Sequence, residues 1–227
     1  ILMNLAPYGV YCLMANLFAT FGFDTLDNLL TYFLLVLLAL MIHSCLTLPL
    51  ILKTLTGLSP LNFYQNVRPA LLFGFSTASS NASLPVTLET AVKHLGIRNT
   101  IASFTIPLGA TINMDGTAIM QGVATVFIAQ VYNIDLSITQ YLMVIITATL
   151  ASIGTAGVPG VGLIMLAMVL KQVGLPVEGI ALIIGVDRLL DMTRTAVNIS
   201  SDCTVSCIVA KSEGEFDKEV FDQPNDT

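Results

Sequence analysis

Charge is scarce in this sequence. Of 227 residues only 11% are Asp, Glu, Lys or Arg, less than half the share of an ordinary soluble domain. Tryptophan is absent, and there are two His and four Cys. Lys and Arg number nine in all and form no basic stripe, so nucleic acid is not an expected partner. The Cys do not make a disulfide framework. Cys12 and Cys45 lie in apolar runs, and Cys203 and Cys207 sit one helical turn apart with no His nearby, so all four read as small buried residues. His43 and His94 are isolated and read as structural. The opening apolar stretch has no charged leader, so it reads as a span and not a signal peptide; the chain is expected to be a piece of a longer polytopic protein.

What is abundant is apolar length. Hydrophobic residues make up 55% and the mean hydropathy is +0.82. Residues 28–52, 69–88, 99–114, 116–134 and 136–170 carry no formal charge. A spanning helix needs about 20 apolar residues, so this is a multi-pass membrane protein built from helices. Segments at 1–22 and 29–52 are long enough to span. Residues 53–68 read as a loop, with Gly57 and Pro60 as breakers. The net charge of -6 is concentrated at the end: from Glu213 to Thr227 there are six acids and one Lys, which reads as a solvated acidic tail.

Two stretches are apolar at their ends and polar in the middle. One holds Ser76 to Pro85 within 69–91; the other holds Ala151 to Gly160 within the uncharged run 136–170. The second is too long for one span and too short for two with a turn. Both read as re-entrant hairpins of two half-helices, because irregular backbone at membrane depth is tolerated only where protein or water covers it. A segment at 100–131 follows the first hairpin and a polar-studded helix at 180–210 follows the second. Paired, interrupted hydrophobic segments of this kind point to the binding site of a secondary transporter. The Lys and Arg bias places Lys53, Arg68, Lys93, Arg98 and Lys211 inside and Lys171 outside.

Three constellations carry chemistry. On the last helix, with Asp187 at zero and about 100° per residue, Asp191 falls near +40°, Arg194 near -20°, Asn198 near +20°, Asp202 near +60° and Thr195 near +80°. This stripe must face protein or water, since each charge at mid-bilayer costs roughly 2.5–3.5 kcal/mol. The blander reading is a ladder of salt bridges from Arg194 to Asp187 or Asp191. Arg188, off the stripe, reads as snorkelling. Asn113-Met114-Asp115-Gly116-Thr117 has polar side chains at alternate positions and favours a local helix break, whose carbonyls with carboxylates suit a Na+-like cation. The hairpin tips, rich in Ser, Thr, Asn and Gly, end half-helices whose free N–H groups suit a carboxylate.

Ser79 to Pro85, Asn113 to Thr117, Ala151 to Gly160 and Asp187 to Asp202, in that order, resemble the glutamate transporter family, the dicarboxylate/amino acid:cation symporters. The resemblance covers nearly the whole chain. It implies an all-α membrane protein with transmembrane helices and two re-entrant helical hairpins in an inverted repeat; a familiar instance of such a repeat is an archaeal member of this same family. It divides the chain into a scaffold helix, the family's fifth, at 1–27, a part of the transport domain at 28–210, and an acidic cytoplasmic tail at 211–227. Within the middle part lie the sixth helix (29–52), hairpin 1 (62–91), helix 7 (100–131), hairpin 2 (138–170) and helix 8 (180–210). An isolated piece of this extent is not expected to transport.

The resemblance also assigns roles. Arg194 would clasp the substrate's side-chain carboxylate, helped by Thr117, and Asp191 would hold its ammonium. Asn198 and Thr195 would serve the α-carboxylate, with Ser79 and backbone at Ser80 and Val158. One sodium would use Gly109, Asn113, Asn198 and Asp202. A second would lie among Thr111, Met114, Ser152, Ile153 and Thr155, and a third would involve Asn113 and Asp115. The implied protein is no enzyme and has no cofactor beyond sodium as coupling ion. It is a homotrimer in the plasma (inner) membrane that carries aspartate or glutamate by an elevator movement, with hairpin 2 as outer gate. Some prokaryotic members carry Arg where this chain has Ala78, and the third tip position, often Ser, is Asn81. Proton-coupled animal members have Glu where this chain has Gln121. The alternatives are a sibling carrier of C4-dicarboxylates or neutral amino acids, or an ion channel; an intramembrane protease is disfavoured, since Asp187 and Asp191 share one helix.

Overall fold

The computed structural model describes residues 25–223, together with Tyr11, Cys12, Ala15 and Ala19. The expected span at 1–22 therefore lies almost wholly outside the described residues. Every element among the described residues is helical, apart from one isolated bridge between Ile97 and Phe216.

The first rod is α1 (Thr25–Ile42), a five-residue π turn (His43–Thr47) and α2 (Leu48–Thr56). Together Asp27–Thr56 make a continuous 30-residue helix, long and apolar enough to cross a membrane. Gly57, in the left-handed region at φ 71°, ends it, as C′ glycines do. The loop expected at 53–68 is a correction: α2 runs to Thr56 and α3 (Pro60–Thr77) begins at once. Pro60 is here the first residue of a helix, where a missing N–H costs nothing, and Ser59 caps it by accepting from the Asn62 N–H.

α3 stops at Ala78, a non-glycine residue at φ 52°. Ser79 then caps α4 (Ser80–Lys93) by accepting from the Ala82 N–H at 3.1 Å. These two half-helices form hairpin 1, slightly longer than the expected 62–91. The segment expected at 100–131 is two helices, α5 (Asn99–Ile112) and α6 (Asp115–Val131), parted at Asn113 and Met114, whose ψ angles of 59° and 60° are not helical. Hairpin 2 is α7 (Ile138–Ile153), opened by a Ser137/Gln140 capping box, and α8 (Val161–Gln172). A short 3-10 turn leads into α9 (Ile180–Ser212) of 33 residues, and α10 (Lys218–Asp222) closes the described chain.

α9 runs through two hydrophobic cores. Its first half (Leu182, Ile183, Leu190) packs with α1, α6, α7 and α8. Its second half (Ile199, Cys203, Cys207, Ala210) packs with α2, α3, α4 and α5. Each hairpin thus belongs to a different core. Of the Cys, Cys203 and Cys207 are buried as expected, whereas Cys12 and Cys45 are exposed.

Candidate functional site

The hairpin tips meet between the cores. The Ser79 hydroxyl donates to the Gly157 carbonyl at 2.7 Å, and the Asn81 N–H donates to the same oxygen at 3.0 Å. Beneath this contact lies a small cavity of about 20 Å³, lined by Ser80, Thr117, Val158, Asp191, Thr195 and Asn198 among others. These are six of the eight residues expected to bind substrate. The cavity has room for about one water molecule, so both tips are closed over it. A larger hollow of about 540 Å³ between α1 and α6 has no charged side chain in its lining.

Arg194, 1% exposed, is not in the cavity's lining but stands behind it, bonded to Asp191, which is. Its Nη1 donates to Asp187 Oδ1 at 3.0 Å and its Nη2 to Asp191 Oδ1 at 2.7 Å. Its Nε is buried and has no partner among the described residues. The other oxygen of Asp191 accepts from the Gly160 N–H at 3.0 Å. One carboxylate therefore ties the guanidinium to the tip of hairpin 2. The two acids around one Arg leave this cluster with a formal charge of -1. Asn198 is fixed by α6: its Oδ1 accepts from the Gly116 N–H at 2.8 Å, and its Nδ2 lies 3.4 Å from the Thr117 hydroxyl. Arg188 is exposed, at the rim of an outer groove of about 600 Å³ that also touches Pro159, Gly160 and Asp191.

The residues expected to hold cations divide. Asp202 is buried, its Oδ1 accepts from the Asn113 amide at 2.9 Å, and the Asn113 amide also reaches Ser201. A Cβ on Gly109 would stand 2.5 Å from that Oδ1, so the α5 backbone can approach the carboxylate only because residue 109 is glycine. Among the described residues no cationic side chain pairs with Asp202. A buried carboxylate so placed fits a cation, since burying an unpaired charge is costly. Met114 and Thr155 line the cavity, and Ser152 is buried at the end of α7. Thr111 is exposed, with its hydroxyl turned to its own helix, and the Ile153 side chain is exposed; the structure does not gather these two side chains with the rest. Among the described residues no three His, Cys, Asp or Glu converge as a metal cluster, and a site made of carbonyls does not need one.

Asp115 is turned elsewhere. Its Oδ2 lies 2.5 Å from His43 Nε2, and its Oδ1 accepts from the Gly116 N–H. His43, read from the sequence as isolated, is thus corrected: it has a partner 72 residues away. The first residue of the π turn presents it, and such turns concentrate at functional positions. The only local signal was a His inside an otherwise apolar span.

Comparison with known proteins follows the same lines. Relatives include an excitatory amino acid transporter of Caenorhabditis elegans, 43% identical over 90% of this chain and 41% of that protein. The proton/glutamate-aspartate symporter of Escherichia coli K12 is 40% identical over 96% of this chain and 49% of that protein. The human excitatory amino acid transporter 3 is 43% identical over 93% and 40% respectively. The chain thus spans less than half the length of each of these relatives. The profile of the sodium:dicarboxylate symporter family matches residues 1–212. With an Arg-centred site under two meeting hairpin tips and a match across nearly its whole length, the chain belongs to the sodium:dicarboxylate symporter family.

Proposed function

We propose that the protein containing this chain is a sodium-coupled symporter of acidic amino acids, aspartate or glutamate, in the plasma (inner) membrane. The observation that carries this reading is Arg194, fully buried beside a closed cavity with its Nε unpartnered among the described residues, next to the Asp191 carboxylate. A guanidinium fork suits a carboxylate, and a carboxylate beside it suits an ammonium. A ligand bearing both groups answers both side chains, which favours an amino acid over a C4-dicarboxylate and an acidic one over a neutral one.

The arrangement works by competition. With the tips closed, Asp187 and Asp191 occupy Arg194, and Asp191 also holds the Gly160 N–H. An entering substrate offers its side-chain carboxylate to Arg194, with Thr117 beside it. Its ammonium takes Asp191, and its α-carboxylate takes Asn198, Thr195 and the N–H groups near Ser79, Ser80 and Val158. Sodium is cargo: Gly109, Asn113, Asn198 and Asp202 hold one ion, and Thr111, Met114, Ser152, Ile153 and Thr155 hold another between the break after α5 and the end of α7. Asp115 with Asn113 serves a third, and His43 positions the Asp115 carboxylate. Because Asn198 serves both a cation and the substrate, and Asn113 serves two cations, each ligand orders the other's site, which is coupling.

On this reading α1 through α9 form part of a transport domain and both hairpins are re-entrant, related as an inverted repeat. The apolar side chains exposed on α1 and α7, such as Leu34, Leu38, Leu142 and Ile146, face lipid or the remainder of a homotrimer. Hairpin 2 is the gate and the domain moves as an elevator. A second reading, proton coupling, is favoured by the name of the Escherichia coli relative. Against it stands Gln121, fully buried, with its Nε2 3.3 Å from the Gly162 carbonyl, which carries no titratable group. Calorimetric titration of L-aspartate into the full-length protein, in sodium and then in choline, decides between them. Tight binding in sodium alone is the expected result; binding indifferent to sodium overturns the coupling assignment.

A further inference from the structure

The acidic end of the chain, expected to be solvated, is docked. After α9, Gly214 at φ 72° reverses the backbone, and the Glu215 N–H returns to the Ala210 carbonyl at 2.8 Å. The chain then pairs with the turn between α4 and α5. The Arg98 N–H donates to the Glu215 carbonyl at 3.0 Å, and the Asp217 N–H donates to the Gly96 carbonyl at 2.7 Å. Arg98 Nε also lies 2.5 Å from the Glu215 carboxylate. Gly96 is required here: its φ is +69°, and a Cβ would stand 2.1 Å from the Asp217 carbonyl oxygen.

The Asp217 side chain caps α10, which drives Phe221 inward. Phe221 is 1% exposed and packs in the core of α3 and the end of α9, with Phe63, Val67, Ile97 and Cys207 in the same cluster. Its carbonyl accepts from Asn66 Nδ2 of α3 at 2.8 Å. The segment therefore binds the end of α9, the α4–α5 turn and the base of α3 at once. The last two are the roots of hairpin 1. Among the described residues, the side-chain hydrogen bond between the two arms at the roots of hairpin 2 is Gln140 Nε2 to the Val173 carbonyl at 3.2 Å, beside the buried Val173 and Leu175, and no added segment covers them.

We infer that residues 213–222 are a positioning strap, with Phe221 as its anchor. It fixes the roots of hairpin 1, so that the Ser79–Ser80 tip is a standing wall of the cavity and opening falls to hairpin 2. That last consequence rests on the proposed substrate reading of the cavity; the strap itself does not. Hydrogen exchange on the full-length protein, without ligand, tests it using Phe221→Ala and the conservative Phe221→Leu. Phe221→Ala is expected to speed exchange in residues 60–68 and 94–99 about tenfold or more while leaving 138–172 unchanged, and Phe221→Leu to restore most of the protection. A merely structural role would loosen all helices together, so a uniform speed-up overturns the proposal. If Phe221→Ala does not fold, Arg98→Ala with Glu215→Ala loosens the strap at its exposed end without emptying the core. A local gain of a few-fold at 94–99 is then expected, and no change there overturns the proposal. Aspartate binding measured on the same samples separates the two readings: local loosening in a protein that binds no acidic ligand leaves the strap standing and removes the substrate assignment.

Discussion

Hairpin 1 and hairpin 2 meet tip to tip, yet their tips are made differently and their roots are held differently. The tip of hairpin 1 turns on Ala78, a residue with a Cβ in the left-handed region, a conformation that costs roughly 1 kcal/mol. Ser79 caps the next half-helix, and Thr77 and Ser83 bond to its backbone carbonyl. Such a turn has few other shapes open to it. The tip of hairpin 2 carries Gly154, Gly157 and Gly160 and holds to α9 through Asp191. Glycine-rich backbone changes shape at low cost. Add the strap beneath hairpin 1, and one hairpin is built as a wall and the other as a door. Backbone freedom lies where the contact to the Asp191 carboxylate is.

The sharpest way to break this comparison is to remove what the door closes upon. Arg194→Lys keeps the charge between Asp187 and Asp191 but loses the fork. The expected loss is about 100-fold or more in affinity for acidic amino acids, equal to one or two charge-assisted hydrogen bonds. Sodium binding measured without substrate is expected to persist. Aspartate binding at unchanged affinity refutes the role given to Arg194. Next in size is Asp202→Asn, on the half of α9 that faces hairpin 1. It keeps the bond to Asn113 in altered form and removes a buried charge. A drop of roughly tenfold or more in apparent sodium affinity is expected, with aspartate affinity recovering at high sodium. Sodium dependence identical to the parent would show that Asp202 holds no cation. Gly157→Ala attacks the tip contact: its Cβ meets Asn81 and Ser80 at 2.9–3.1 Å. The tips should part, and aspartate should bind roughly tenfold more weakly through faster release. Faster exchange confined to 154–160 would assign the yielding to hairpin 2; equal loosening at 76–83 contradicts the wall. Smaller still is His43→Ala, expected to weaken sodium binding a few-fold, equal to about one hydrogen bond. His43→Gln, which keeps a donor, should recover most of it; no difference between the two sinks the positioning role.

Much of this was legible because burial in an apolar chain leaves polar residues conspicuous. Ser76 to Pro85 and Ala151 to Gly160 mark both tips, and Asn113 with Met114 marks the helix break. The stripe from Asp187 to Asp202 is readable from helical period alone: Asp191, Thr195 and Asn198 line the cavity, and Asp187, Arg194 and Asp202 are buried. What was not legible depends on pairs far apart in the chain. His43 meets Asp115, and nothing local says so. Phe221 is hidden among acids, with the partly buried Phe216 beside it, so the charge of the tail masked its anchor. Pro60 reads as a breaker by composition, but a breaker and a helix-opening residue are the same residue seen from opposite sides.

A matched pair of caps provides the finest test of wall against door. Ser59 and Ser137 each open the first arm of a hairpin, accepting from the Asn62 N–H at 3.4 Å and the Gln140 N–H at 3.3 Å. Taken alone, replacing either by Ala costs about 1 kcal/mol of helix stability. Fraying at the start of α7 needs little else to break, because beyond the capping box itself Gln140 reaches only the Val173 carbonyl, and Ile138 and Leu142 are exposed. Fraying at the start of α3 must also free Phe63 from its core and Asn66 from Phe221. Ser137→Ala should therefore speed exchange in the first turn of α7 about fivefold, whereas Ser59→Ala should change α3 less than about twofold as long as the strap is docked. In the Phe221→Ala background the two caps should become alike. Equal responses in the parent protein would mean that the two hairpins are rooted alike and that the strap carries no load.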